Sequence, residues 1–463
     1  MLKFDRQALA DTHPGEPILT DYRGRLCYNE NPLGPSPAAI EAIIDEAAMS
    51  HRYPDWFAES LASRLAEHYD VPTSKVICGN GATEILRLCA MAFAEPGHNV
   101  VSPYPSYSQF PGDAQFFGAS VRYADLDAEY RVDLDNVRAR VDSNTTCVCL
   151  TNPNNPTGTI FNPGRLGEFI DSLPQGVVTL IDEAYYEFIN GPVGGNEFNH
   201  GYYPSAIDLV KDGKKIVVIK TFSKVHGLAG ARIGFAMGPS SEISAMRSNQ
   251  TFATITRTSL EAAKAALSDI QHIADTVDLA NQAKEHCYGE FESMELDYIP
   301  SVANFLMVDV GDADEVAAAL ADYGIYVRTG WGMPNHLRVS MGHLDEMRDF
   351  TEALRLILNG RGGKISGAGV PNQPQLYQAY PNPFNTSALI KIVLPQSLPV
   401  RLEIFDIRGS LVNRLADRSL SAGPHSFGWN GSAASGERVA SGSYFYRLTA
   451  GDAVITRRLI LIK

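Results

Sequence analysis

The chain has 463 residues, with 53 Asp/Glu against 39 Lys/Arg and a formal net charge of −14. Its 44% hydrophobic and 20% charged residues are an ordinary globular composition, in a chain long enough for two or three domains. The acidic balance excludes the basic footprint of a nucleic-acid binder, and no apolar stretch is long enough to span a bilayer, so neither partner is expected.

Charge is unevenly spread. From Tyr377 onward there are ten Lys/Arg and five Asp/Glu, a net of +5, which leaves −19 on the residues before it. Such a step predicts two modules with separate histories. The six cysteines, Cys27, Cys78, Cys89, Cys147, Cys149 and Cys287, all precede the step. None forms a C-x-x-C pair, and Cys147 and Cys149 are expected on opposite faces of one strand. No metal site is predicted; the cysteines read as small buried thiols in a reduced compartment. Met1–Leu19 shows no apolar run of signal-peptide length, which points to a cytoplasmic protein.

In chain order, Glu59–Tyr69 and Glu84–Phe93 have the spacing of amphipathic helices. Val76–Cys78, Asn99–Ser102, Thr146–Leu150, Val177–Ile181 and Lys215–Ile219 are short, apolar and β-branched, and read as buried strands. The alternation predicts an α/β domain with a largely parallel sheet, its ligands at the carboxyl ends of the strands. Asn359–Gln375 is a Gly/Pro/polar linker. Beyond it, Leu389–Leu394, Val400–Phe405, Tyr444–Leu448 and Val454–Leu461 alternate with turns such as Ile407-Arg408-Gly409-Ser410 and Asn430-Gly431-Ser432, the pattern of a small all-β sandwich.

Three motifs sit at successive strand ends. Asn152-Pro153-Asn154-Asn155-Pro156-Thr157-Gly158 alone would be a turn. Asp182-Glu183-Ala184-Tyr185 alone would be a helix cap, and the lysine of Thr221-Phe222-Ser223-Lys224, eight residues before Arg232, a surface charge. Their order and placement together point to one site. With Asn29-Glu30-Asn31-Pro32-Leu33-Gly34, Arg52-Tyr53-Pro54-Asp55, Gly79-Asn80-Gly81-Ala82-Thr83-Glu84 and Leu337-Arg338-Val339-Ser340-Met341-Gly342, the stretch from Leu26 to Leu358 resembles the fold-type-I aminotransferases that use pyridoxal 5′-phosphate (PLP). Within these it most resembles the histidinol-phosphate aminotransferase group.

The resemblance implies a large mixed-sheet domain over about residues 50–240. It also implies a smaller α/β domain from the N-terminal segment and about residues 241–358. Lys224 is implied as the lysine that takes the cofactor, Asp182 as the partner of its ring nitrogen, and Asn155 and Tyr185 as partners of its ring oxygen. Tyr107 would stack on the ring. Ala82 and Thr83 at a helix start, Thr221, Ser223 and Arg232 would hold the phosphate. Tyr53 would reach the phosphate of a neighbouring subunit, which implies a homodimer. Arg338 would pair with the substrate α-carboxylate; Arg328 and Asn31 complete the implied substrate contacts.

The implied reaction moves an amino group between an amino acid or amino-alcohol phosphate and a 2-oxo acid, with L-histidinol phosphate and 2-oxoglutarate as the pair the group suggests. Two departures leave the side-chain preference open. Thr251-Phe252-Ala253-Thr254-Ile255-Thr256-Arg257 lacks the proline of the group's Arg-x-x-Pro-aromatic stretch, and Leu33 stands where relatives carry an aromatic residue. The alternatives are a decarboxylase of an amino-acid phosphate on the same cofactor shell, or a PLP-binding surface protein without catalysis.

Residues 377–463, with Tyr380-Pro381-Asn382-Pro383-Phe384-Asn385, Gly428-Trp429-Asn430-Gly431 and Ala440-Ser441-Gly442-Ser443-Tyr444-Phe445-Tyr446-Arg447-Leu448, are similar to the Ig-like domain of flagellar hook-capping proteins and of type IX secretion sorting domains. That resemblance implies a secretion-machinery partner and a secreted or surface-attached protein, provided a leader precedes Met1.

Overall fold

The site's position follows from one sheet. The computed structural model describes residues 24–189, 203–361 and, between 374 and 461, all but 377–378, 380–383, 385–387, 422 and 452. Most of the expected linker, residues 362–373, thus lies outside the described residues, as do Met1–Arg23 of the N-terminal segment and most of the Tyr380–Asn385 motif. The chain forms two compact units. One comprises Arg25–Ala318 and Tyr326–Thr351; the other comprises Gly24, Ala319–Ile325 and the described residues from Glu352 on.

The first unit is built on a seven-stranded sheet: β1 (Val76–Gly79), β2 (Asn99–Tyr104), β3 (Ser120–Asp125), β4 (Thr145–Thr151), β5 (Val178–Asp182), β6 (Ile216–Thr221) and β7 (Gly234–Met237). Their order is β1-β7-β6-β5-β4-β2-β3. β7 runs antiparallel to both neighbours and the remaining pairings are parallel, so the sheet is mixed. Central strands such as Ile216–Thr221 are buried along their whole length. That is why they read as continuous apolar runs rather than alternating ones.

Residues two apart on a strand share a face. Cys147 and Cys149 accordingly pack in one core cluster with Ile85, Leu86 and Cys89 of the helix Gly81–Phe93, while Val148 and Leu150 face the other cluster with Leu61 and Leu65. This corrects the expectation of opposite faces. All six cysteines are buried and free of disulfides, and no metal-binding cluster occurs among the described residues.

A second, antiparallel sheet joins β8 (Tyr298–Ile299), β9 (Phe305–Asp309) and β10 (His336–Ser340), with Met307 opposite Arg338. The helix Leu344–Arg361 runs through Asn359 and Gly360, further than the linker composition suggests.

The C-terminal strands are β11 (Ala388–Leu394), β12 (Leu398–Phe405), β13 (Leu411–Leu420), β14 (Gly423–Trp429), β15 (Gly442–Ala450) and β16 (Ala453–Leu461). They form a four-stranded sheet, β13-β12-β15-β16, and a three-stranded sheet of Gln375–Leu376, β11 and β14, all antiparallel. Ile390, Ile392, Leu402, Ile404, Tyr446 and Leu448 fill their common core. Trp429 anchors it, with its ring 5.4 Å from Phe384 and 5.0 Å from Tyr444 and its indole N–H donated to Ser432 O at 2.8 Å. No helix among the described residues is long and apolar enough to cross a membrane.

Candidate active site

The parallel strands end side by side. Thr151 closes β4, Asp182 closes β5 and Thr221 closes β6; Asp182 is in register with Thr151 on one side and Ile219 on the other. The motif residues therefore lie at or just past the carboxyl edge of the sheet.

After β6 the chain turns tightly. Ser223 N donates to Thr221 Oγ1 at 3.1 Å and Gly227 N to Lys224 O at 3.0 Å. Gly227 has φ +68, and a Cβ there would stand 2.0 Å from Gly34 O, so the close passage of residues 34 and 227 requires glycine. The turn leaves Lys224 Nζ donating to Tyr28 O at 2.9 Å. Burial lowers its pKa to about 8, helped by the nearby Arg338 guanidinium and opposed by Glu30 and Asp182. Asp182 is buried and moves the other way, up to about 6, because desolvation outweighs the backbone N–H of Ala184 at 3.0 Å and the charge of Lys224.

Next to this pair lies a polar network that joins distant parts of the chain. Arg338 Nη1 donates to Asn155 Oδ1 at 2.8 Å and its Nη2 to Cys27 O at 2.5 Å. Arg338 is buried, its Nε has no partner, and no carboxylate forms an ion pair with it among the described residues. Burial brings its pKa down to about 10, so it remains a cation near neutral pH. Asn29 Nδ2 donates to Tyr185 Oη at 2.9 Å, and the Tyr185 ring lies edge-on to Phe305 at 4.9 Å. Burial raises the Tyr185 pKa, which keeps its phenol protonated.

On the β1–β7 side three glycines close in. A Cβ on Gly234 would lie 2.4 Å from Ala82 N, and one on Gly81 2.4 Å from an Arg232 guanidinium nitrogen. Gly79 is in register with Gly234. Arg232, in the left-handed region at φ 55, thus lies over the first turn of the helix that carries Ala82 and Thr83. Thr221 Oγ1 donates to Ser223 Oγ at 2.9 Å nearby. Tyr107 shares a side-chain hydrogen bond with Thr83, and burial together with Asp182 pushes its phenol up to about 12.

Lys224, Asp182, Tyr185, Asn155, Arg338, Tyr107 and the glycine-lined cup therefore converge. Tyr53 stands apart, 84% exposed. Asn31 gives both amide hydrogens to the protein, to Val225 O and to Thr276 Oγ1, each at 2.9 Å, and accepts from Leu33 N. Its side chain braces the lysine turn. Arg328 pairs with Arg338 across a narrow bridge of two backbone hydrogen bonds, 3.1 and 2.8 Å long.

Asn29, Ser340 and Asn304 belong to the site although the sequence did not single them out. Ser340 Oγ donates to Asn29 Oδ1 at 2.7 Å, and Asn304 Nδ2 donates to Asn29 O at 3.1 Å. The available signal was an asparagine tolerant of positive φ, here 56, just before Glu30-Asn31-Pro32.

Comparison with known proteins agrees with this geometry. The family "aminotransferase class I and II" matches residues 25–354, and the FlgD Ig-like domain matches residues 384–453. A histidinol-phosphate aminotransferase from Symbiobacterium thermophilum is 34% identical over 355 residues, 74% of this chain and 95% of that protein. Another, from Akkermansia muciniphila, is 33% identical over 74% of this chain and 95% of its own length. The crystal structure of histidinol-phosphate aminotransferase from Sinorhizobium meliloti in complex with pyridoxal 5′-phosphate superposes with a TM-score of 0.67 at 25% identity, covering 78% of this chain and 95% of that one. The chain belongs to the class I and II aminotransferases. It is a PLP-dependent aminotransferase of histidinol-phosphate-aminotransferase-like type, with a C-terminal Ig-like domain.

The donor set suits PLP. The cofactor requires a nucleophilic amine, an anion for its ring nitrogen, polar partners for its ring oxygen and N–H donors for its phosphate. A part-buried amine of lowered pKa and a buried carboxyl lie within each other's electrostatic influence here, beside a protonated tyrosine, an asparagine and a glycine-lined helix start.

Proposed function

We propose that the chain transfers the amino group of an amino acid or amino-alcohol phosphate to a 2-oxo acid through one site centred on Lys224, with L-histidinol phosphate and 2-oxoglutarate as the leading pair. PLP, when bound, supplies an aldehyde for amine capture and a ring that accepts electrons from the substrate α-carbon. With PLP bound, Lys224 Nζ would be the amine that holds its aldehyde carbon and the base that takes the substrate α-proton; its lowered pKa suits a base near neutral pH. Asp182 would hold the ring nitrogen. Asn155 and Tyr185 would hold the ring oxygen, and Tyr107 would lie against the ring. Ala82 and Thr83 N–H groups, Thr221, Ser223 and Arg232 would hold the phosphate at the helix start.

Arg338 carries the substrate reading. A buried guanidinium with no carboxylate partner among the described residues, and with an unpartnered Nε, is built for a carboxylate that arrives with the substrate. Arg328, paired beside it, adds a second cation suited to a phosphate or second carboxylate. Asn31 acts by bracing the lysine turn. A screen of amino donors against 2-oxoglutarate, following glutamate release, tests the pair: L-histidinol phosphate should give the highest kcat/KM. A clear preference for a donor with neither a phosphate nor a second carboxylate would remove Arg328 from the substrate role.

The enzyme acts as a homodimer in this reading, with Tyr53 of each subunit serving the other's phosphate. Exposed apolar side chains support an interface: Trp56, three residues on, its ring 5.5 Å from Phe252, and Ile40 and Ile44 one turn apart on the helix Pro37–Ala47. The aminotransferase part extends over residues 1–358, with its large domain at about 50–240. Residues 377–463 form a separate Ig-like module whose family likeness favours export or surface attachment over a role in catalysis. Fractionation of cells that produce the full chain, with and without residues 377–463, tests the assignment.

A further inference from the structure

The Arg328–Arg338 bridge has one feature that the carboxylate reading does not use. The segment Gly330-Trp331-Gly332 carries three successive positive φ values, 121, 57 and 68. The glycines adopt them freely, but a bulky residue does not, and a strained backbone is kept where the side chain it aims has work to do. Gly332 favours glycine through its φ of 68, and a Cβ there would lie 2.5 Å from Tyr104 Oη. The turn places the indole within 4.8 Å of the Arg338 guanidinium carbon and 5.5 Å of that of Arg328. Directly opposed residues of an antiparallel bridge project to the same side, so one ring faces two cations. Phe305 approaches the Arg338 guanidinium as well, at 5.5 Å.

We infer that Trp331 sets the donor preference: its indole forms a flat wall beside the substrate arginines and selects amino donors whose side chain is planar and aromatic. The inference rests on the reading of Arg338 as the carboxylate arginine. The wall has two effects. It fixes the guanidinium planes through their contact with the ring, and it offers a π surface against which an imidazole or phenyl group lies at offset-stacking distance. A branched aliphatic side chain of similar size fills the same space without that contact.

The test compares L-histidinol phosphate, L-phenylalanine and L-leucine as donors to the PLP-loaded enzyme and its Trp331→Ala and Trp331→Phe variants. A separate readout is the emission lost in the Trp331→Phe variant, measured as a difference from the native protein and titrated with 3-phenylpropanoate, a planar carboxylate without an amine. The inference expects Trp331→Ala to lose roughly tenfold more kcat/KM for the two planar donors than for leucine, the size of one aromatic contact. It also expects Trp331→Phe to restore most of that difference and the Trp331 emission to respond to 3-phenylpropanoate. Equal losses for planar and aliphatic donors, or emission blind to the ligand, would overturn it. Failure of the underlying reading has its own signature: Arg338→Lys would leave the KM for 2-oxoglutarate unchanged whatever Trp331 does.

Discussion

Asn29 Nδ2 donates to Tyr185 Oη at 2.9 Å, across 156 positions of the chain, and so ties the N-terminal segment to the end of the Asp182 motif. The bond fixes how the phenol presents its proton. Asn29→Gly keeps the positive φ and removes the amide. It should slow the single-turnover half-reaction by about 1–3 kcal/mol, the cost of an unmet buried hydrogen bond. Because the amide acts through the phenol, Asn29→Gly should cost little more once Tyr185→Phe is in place; a double-mutant cycle with fully additive losses would show that Asn29 does not work through Tyr185.

The sheet was legible because its strands are apolar on both faces. Ile216–Thr221 and Thr145–Thr151 stand within two residues of their expected ends. Strands with mixed surfaces were not: Ser120–Asp125 lies at a sheet edge, and Leu411–Leu420 interleaves Asn, Arg and Asp and is interrupted by register shifts. The Asn152, Asp182 and Lys224 motifs could be placed because each sits at or just past a strand end. The Asn29–Tyr185 and Asn31–Val225 bonds could not, since they join segments 156 and 194 positions apart that periodicity does not connect. Trp331 carried no sequence signal beyond two flanking glycines, whose positive φ became visible only with the backbone.

Arg338→Ala should raise the KM for 2-oxoglutarate, by about 3–5 kcal/mol in binding at most, the worth of one buried charge pair. Arg338→Lys should recover only part, because an ammonium lacks the planar fork. Steady-state kinetics with the acceptor varied will read both; an unchanged KM in either variant would place the carboxylate elsewhere.

The Lys224 amine, lowered from 10.5 to about 8 chiefly by burial, should govern how fast cofactor-free protein takes up PLP. The charged amine is not a nucleophile. The rate of uptake should therefore rise with pH through about 8 and level off above it, where the neutral form dominates. Rapid mixing across this range will show the midpoint, and one near 10.5 would mean that the site does not desolvate the amine.

Lys220 is buried between Glu187 Oε1 at 2.9 Å and Glu183 Oε2 at 3.3 Å, with the Tyr186 ring 4.0 Å away. The two carboxylates raise its pKa above the ordinary lysine range. Lys220→Met removes the cation from the buried Glu183 and the part-buried Glu187 and should cost about 3–5 kcal/mol at most, while the triple variant with Glu183→Gln and Glu187→Gln should regain part of it. Urea titration of the first unfolding transition will measure this, and a loss under ~1 kcal/mol would mean the acids are solvated.

Which lysine takes the cofactor is the central question, and the chain offers competitors. Lys220 is more deeply buried than Lys224, and Lys284, buried with its amine on Ser301 O at 3.0 Å, is also lowered to about 8. Of these three, Lys224 alone combines a lowered pKa with the influence of the Asp182 carboxyl. Borohydride reduction of the PLP-loaded enzyme, followed by tryptic digestion and mass spectrometry, distinguishes them in one measurement. The reduced cofactor should be found on the peptide Thr221–Arg232, uncut at Lys224, and should disappear from it in Lys224→Ala. Recovery of the label on Lys220 or Lys284 instead would contradict the assignment of the site.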